Sequence, residues 1–269
     1  MNGQPVKDPL NRHFAPRTTI AISLITTLSL LALWWLATTQ GWVKPLFLPS
    51  PNQVLGKTGD LITEGFADST LWQHTWASLF RVFSAFALAC LTAVPIGILM
   101  GIHDLAKGVL DPVIEFYRPL PPLAYLPLII IWLGIGETAK IVLIFLAVFA
   151  PICLSTRAGV RAVAREKILA AATLGASRVQ IIRYIVLPGA LPEILTGMRV
   201  GIGFGWTTLV AAEMVAATAG LGFMVLNAKD FLATDVVITG IFVIGFIAYG
   251  FDLLMRGLER WLVPWKGQD

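Results

Sequence analysis

The sequence predicts an all-α membrane protein with six transmembrane helices, and three observations carry that expectation. Only 13% of the 269 residues are charged while 57% are hydrophobic, too little charge to cover the surface of a soluble domain of this size. Several nearly uncharged runs approach the ~20 residues that a helix needs to cross a bilayer. The basic residues are concentrated in alternate connections, as the positive-inside rule requires of a multi-spanning chain.

Residues 1–19 form a tail carrying Lys7, Arg12 and Arg17, ahead of a first span at 20–40. Its apolar region is too long for a signal peptide, and the LATTQ that closes it is a poor cleavage site. Residues 41–74 are polar and turn-rich, opening on Pro45, Pro49 and Pro51. A core follows at 75–259. Its spans are expected at 79–100, within 113–133 after the proline-rich YRPLPP, at 140–154, at 194–217 and at 236–255. A tail, 260–269, closes the chain.

An even number of spans puts both termini on one side. With the termini inside, the inner segments hold Lys7, Arg12, Arg17, Lys107, Arg118, Arg157, Arg161, Arg165, Lys167, Arg178, Arg183, Arg256, Arg260 and Lys266. The outer segments hold Lys44, Lys57, Lys140 and Lys229. That asymmetry makes the termini and the connection near residues 160–192 cytoplasmic and residues 41–74 periplasmic.

Small residues recur every fourth position in the second span, at Ala85, Ala89, Ala93, Gly97 and Gly101. The fifth span has Gly197, Gly201 and Gly205. Such ladders let helix backbones approach closely in lipid, and the expectation is packing within the chain. Cys90 and Cys153 lie in apolar runs and read as buried thiols without chemistry. His13, His74 and His103 are scattered without metal-ligand spacing. The net charge of +4 follows loop topology, so no nucleic-acid surface is expected. PNQVLGKT at 51–58 mimics a phosphate loop, but Pro51 replaces its first glycine and no apolar strand precedes it. GIGETA at 134–139 follows a membrane span rather than a strand, so it is not a dinucleotide site. Neither a cofactor nor a catalytic constellation is expected.

The segment TLGASRVQIIRYIVLPGALP at 173–192 is structured and basic. Residues 165–174 favour helix, Gly175 stands where a left-handed C′ residue would end it, and Ser177 with Gln180 forms a capping box for a second helix. Val179, Ile182 and Val186 are expected on one face, with Ile181 and Ile185 beside them and Leu187-Pro188 as the stop. Two readings stand: an amphipathic connector on the membrane surface, or a docking element for a cytoplasmic partner.

AATLGASRVQIIRYIVLPGALP resembles the cytoplasmic loop signature of ABC-importer permeases. Ala170, Ala171, Gly175, Ile185, Leu187 and Pro188 match at the family's spacing, and Ala176 and Ser177 lie within the same turn; Leu169 stands where the family usually has glutamate. LFLPSPNQVL, LWQHTWASLFRV, YRPLPPLAYLPLIIIWLGIGETAK, LPEILTGMRVGIGFGWTTLVAAEMVAAT and GLGFMV are similar to the nitrate/sulfonate/taurine branch. The resemblance implies a type I importer (MetI-like) fold, a second permease copy, two cytoplasmic ABC ATPase subunits and a periplasmic substrate-binding protein. It implies a small sulfonate as substrate, taurine first, with nitrate, other alkanesulfonates or a thiamine precursor as alternatives within the branch. It also implies that the loop's short helix docks on the ATPase.

A self-sufficient ion-coupled transporter is the alternative from another class, and it should hold ionisable groups deep in its spans. Arg81, Arg199, Glu213 and Asp252 are few and lie near span ends. The fifth span is expected to line the pathway, with Trp206, Thr207 and Glu213 near a gate. The competing expectations are that Trp206 packs in the bundle or faces lipid and that Glu213 sits at the outer interface.

Overall fold

A computed structural model describes residues 16–265, and every regular element in it is a helix. Lys7, Arg12, His13 and Lys266 lie outside the described residues. The helices are α1 (Pro16–Thr39), α2 (Pro51–Thr63), α3 (Leu71–Ile102), α4 (Asp104–Tyr117), α5 (Pro122–Leu133), α6 (Glu137–Ala162), α7 (Arg165–Thr173), α8 (Arg178–Ile181), α9 (Leu187–Ala216), α10 (Leu221–Asp230) and α11 (Thr234–Leu262). A π-helical turn, Ile182–Val186, joins α8 to α9 without interruption.

Among the described residues, five helical segments are long and apolar enough to cross a membrane, and α4 with α5 makes a sixth when the bent pair is taken as one span. That pair turns by 105°. The cause is YRPLPP. Pro119, Pro121 and Pro122 lack N–H groups, so the i→i−4 ladder cannot cross them, and Pro121, before Pro122, is extended at φ −58°, ψ 131°. At ~1.5 Å per residue, neither half alone covers ~30 Å of hydrocarbon.

Other elements run further than their hydropathy suggests. α3 begins at Leu71 because Thr70 caps it, its side chain accepting from Gln73 N while the Gln73 side chain accepts from Thr70 N. The polar connection holds α2, capped in the same way by Ser50 and Gln53 with Pro51 in its first turn. α10 folds back between α9 and α11. Leu61 of α2, Leu71 of α3, and Met224 and Ala228 of α10 share one buried cluster with Val236. α1 stands apart, its apolar window unburied, held by the Trp34 indole donating to Pro49 O at 3.1 Å and stacking on Phe242.

The core is α6 between α3 and α9. The small-residue ladders face α6. A Cβ on Gly97 would fall 2.6 Å from Cys153 O, and one on Gly197 would fall 2.5 Å from the Ser155 Cβ. Gly201 would meet Ile152 Cγ1 at 3.0 Å and Val148 O at 3.1 Å, Gly205 would meet Val148 Cγ2 at 3.0 Å, and Gly101 abuts Val160. In lipid, helix association depends on such close backbone approach rather than on expulsion of water. Ala85, Ala89, Ala93, Val148, Ile152 and Cys153 fill the seam, all fully buried.

At one end of α6, Arg157 pairs with Asp111 and Arg161 with Asp104, tying α4 to the end that carries the 163–187 connection.

Gly97→Val should separate α3 from α6 and lower the apparent melting temperature of the detergent-purified protein by roughly 3–10 °C, the scale of an overpacking penalty. Gly245→Ala, where a Cβ meets nothing within 4 Å, should leave it unchanged.

Candidate functional site

The connection between α6 and α9 is ordered by local chemistry. Gly175 has φ +84°, the left-handed region. Its N–H donates to Ala172 O and the Ala176 N–H to Ala171 O, both at 3.0 Å. These are the two bonds of a Schellman motif, and they satisfy the last carbonyls of α7. A Cβ at Gly175 would meet nothing within 4 Å, so the need for glycine there is conformational. Two residues on, Ser177 N donates to Gln180 Oε1 at 2.8 Å and Gln180 N to Ser177 Oγ at 3.4 Å. The two caps fix the angle between α7 and α8 within a few residues.

The expected stop at Leu187-Pro188 is absent, and the helix continues. Leu187 N donates to Ile182 O, a π-type bond, and Val186 is helical at φ −70°, ψ −49°. The wider turn makes room for the proline ring of Pro188, which follows it directly. The extra residue in the turn also rotates the faces. Val186 is buried with Val160, Ala190 and Ile194, and Ile181 packs there. Val179 is instead 73% exposed, off the shared face expected for it.

Leu169, Leu174, Val179 and Tyr184 are all exposed apolar side chains on this connection. Ala171, Gly175, Ala176 and Ile185 line a shallow groove of about 420 Å³ between α7 and the second helix. Ala170 and Ser177 are exposed, Pro188 is half-buried, and Leu187 is exposed. An exposed apolar surface on a rigid two-helix frame is what a docking partner would cover.

The other end of the bundle holds a polar cluster that sequence reasoning did not assemble. Arg81 of α3 is buried and grips two carboxylates. Its Nε and Nη2 donate to Glu137 at 2.5 and 2.8 Å, and its Nη1 donates to Glu213 Oε1 at 2.6 Å and to Ala219 O at 2.7 Å. Glu213, wholly buried, also accepts from Ser78 Oγ at 2.7 Å and Gly222 N at 2.8 Å. Ser78 Oγ in turn accepts from Leu221 N. His74 Nδ1 accepts from Gly220 N at 3.0 Å, which leaves Nε2 to carry the proton and donate to Phe66 O at 2.9 Å. Lys140 Nζ donates to Glu137 Oε1 at 2.8 Å.

The turn Ala219–Gly222 is thus moulded around one carboxylate. At Gly220, φ is +139°, and a Cβ there would fall 2.5 Å from Glu213 Oε1. The sequence shows the charges Arg81 and Glu213 within apolar spans, but nothing local to either names its partner.

The three gate candidates separate. Glu213 is held in the cluster. Trp206 is 6% exposed and packs in the core with Val82 and Val148, its Nε1 without a hydrogen-bond partner. Thr207 is exposed, its hydroxyl donating to Phe204 O at 2.9 Å.

Residues 93–267 match the family model described as "Binding-protein-dependent transport system inner membrane component". The chain is 55% identical over 264 residues to the taurine transport system permease protein TauC of Escherichia coli, covering 97% of this chain and 93% of that protein. It is 34% identical over 237 residues to the putative aliphatic sulfonates transport permease protein SsuC of the same organism, covering 88% and 89%. A chain of a solved inward-facing MetNI methionine ABC transporter superposes with a TM-score of 0.61 at 20% identity, over 71% of this chain and 95% of that one. The last likeness shows the shared fold.

Removing one member of a buried ion pair strands the other, at a cost of about 3–5 kcal/mol. Glu213→Leu and Arg81→Met should each destabilise the purified protein on that scale. The double variant should cost less than the sum by at least about 1 kcal/mol. Strictly additive costs in the unfolding measurement would show that the pair is not energetically coupled.

Proposed function

The chain belongs to the inner-membrane components of binding-protein-dependent transport systems, and from that premise we propose that it is the permease through which taurine enters the cell. The observation that carries the substrate is the 55% identity, over nearly the full length of both chains, to a taurine transport permease. The 34% identity to a sulfonate permease supports the chemical class, a small organic sulfonate.

In this reading two copies of the chain pair in the membrane, two ABC ATPase subunits bind on the cytoplasmic side, and a binding protein delivers substrate from the periplasm. Hydrolysis of ATP belongs to the ATPase. The termini and the 163–187 connection face the cytoplasm, as the distribution of Lys and Arg requires. α1, with no burial along its apolar window, contacts lipid. Ala170, Ala171, Gly175, Ala176, Ser177, Ile185, Leu187 and Pro188 form the coupling loop, and its exposed Leu174, Val179 and Tyr184 meet the ATPase. The gate lies along α9. Thr207 is on its open face, while Trp206 and Glu213 set the position of the helix from behind.

Coupling needs a difference in contact between two states of the ATPase, delivered to the spans through something stiff. The capped α7–α8 turn supplies the stiffness, and the unbroken path from α8 through the π turn into α9 supplies the connection.

Vesicles containing the permease, its ATPase and the binding protein, loaded with ATP, should accumulate taurine in preference to nitrate or longer alkanesulfonates. Preference for one of those anions would reassign the substrate within the branch. Gly175→Val forces a side chain into a left-handed backbone at about 1 kcal/mol or more. That is too small to unfold the bundle and large enough to tilt the docking helix. Uptake should fall at least tenfold with the protein still inserted, and ATPase recovery in a pull-down should drop. Wild-type uptake together with wild-type recovery would remove the docking role from Gly175.

A further inference from the structure

A cavity of about 570 Å³ opens beside the α4–α5 break, bounded by Tyr117, Arg118 and Tyr125 on one side, Ser155 of α6 on another and Val200 and Phe204 of α9. Its volume is in the range of small-molecule sites. Its depth follows from α6. Ser155 lies seven residues from the Ala162 end of that helix, about 10 Å in, within a helix about 39 Å long. The cavity therefore lies within the membrane-spanning bundle, bordered by a broken span.

Arg118 is the cation of this cavity, and it is held loosely. Its side chain is 53% exposed, and among the described residues its one ion-pair contact is to Glu115 at 3.5 Å. Glu115 also lies 4.0 Å from Arg157 Nη2, so it has a second cation to turn to when Arg118 is engaged elsewhere. Near this level Arg157 and Asp111 are paired with each other, and Arg199 of α9 pairs with Glu259. Arg81, by contrast, is buried and bound by two carboxylates. An arginine at membrane depth, beside a cavity and without a committed partner, is placed to receive an anion.

We propose that this cavity is an anion-binding station on the translocation pathway, in which Arg118 recognises the sulfonate group of a small zwitterion and the rings of Tyr117, Tyr125 and Phe204 receive its ammonium end. This rests on the reading of the chain as a sulfonate permease and names the recognising residue. A guanidinium offers a sulfonate two parallel N–H donors in one plane, which an ammonium cannot match. Aromatic faces attract a cationic group without binding it as firmly as a carboxylate would. Both ends of the molecule are thus met by contacts that can be broken again. A transport station requires that, since binding must be favourable enough for entry and weak enough for release. An alkanesulfonate without an amine would use only the arginine.

The test uses the purified permease–ATPase complex in detergent, with Cys90 and Cys153 replaced by alanine and the substitution Ser155→Cys added. The probes are sulfonatoethyl methanethiosulfonate, which is anionic, and trimethylammonioethyl methanethiosulfonate, which is cationic, each rate taken relative to its rate with a free thiol. A cavity carrying an uncommitted arginine should favour the anionic reagent by about tenfold or more. Adding Arg118→Gln should bring the ratio to near one, while Arg118→Lys should keep a preference, which separates loss of charge from loss of fold. A ratio near one in the parent, or a preference unaltered by Arg118→Gln, would overturn the proposal. Neither result depends on taurine being the substrate, which uptake by the reconstituted wild-type importer decides separately.

Discussion

Arg81 is shared between two carboxylates, and through them one guanidinium joins three helices. Glu137 opens α6, Glu213 lies near the end of α9, and Arg81 itself belongs to α3. In a bundle surrounded by hydrocarbon, water cannot replace a lost partner. A buried pair of this kind therefore tolerates the removal of both members better than of one. The same carboxylate organises backbone. Glu213 accepts from Gly222 N, Ser78 bridges to Leu221 N, and His74 accepts from Gly220 N, so α10 is seated where the chain turns back into the bundle. Ser78, Arg81, Gly220 and Glu213 form one satisfied unit in which every group depends on the others.

The clamp stands at one end of α6 and α9, and the loop that joins those two helices stands at the other. Between them the glycine faces of α3 and α9 hold both helices hard against α6. A close-packed seam of Gly97, Gly197 and Gly201 against Cys153, Ser155 and Val148 does not compress. Displacement of the loop is therefore carried along the helices to the far end. In the proposed importer, that makes α3, α6 and α9 a single lever, pushed at Leu174, Val179 and Tyr184 and clamped at Arg81. The α4–α5 break sits beside this lever. Its prolines free the chain from one helical direction, and that freedom leaves the cavity bounded by Arg118.

What was readable in the sequence is what local chain chemistry determines. The apolar runs, the four-residue spacing of small residues, the left-handed Gly175 and the Ser177–Gln180 box each depend on neighbours a few positions away. The same logic was available at Ser50–Gln53 and Thr70–Gln73, two further capping boxes that hydropathy masked because they open helices ahead of or outside the apolar runs. The clamp was not readable, because Arg81 meets Glu137 at a separation of 56 residues and Ala219 at 138. Only the packing of α3 against its neighbours brings them together. The continuous helix through Leu187-Pro188 was hidden for a different reason. A proline normally argues for a stop, and the π turn that accommodates it has no sequence signature of its own.

The most direct test of the coupling arrangement is site-specific photo-crosslinking in cells producing the whole importer. A photoreactive phenylalanine derivative is placed either at Val179, exposed on α8, or at Leu55, exposed on α2. Irradiation should join the ATPase subunit to the chain substituted at Val179 and leave it free of the chain substituted at Leu55. Capture of the ATPase from Leu55, or its absence from Val179 in an importer that is actively transporting, would contradict both the orientation and the role given to the loop.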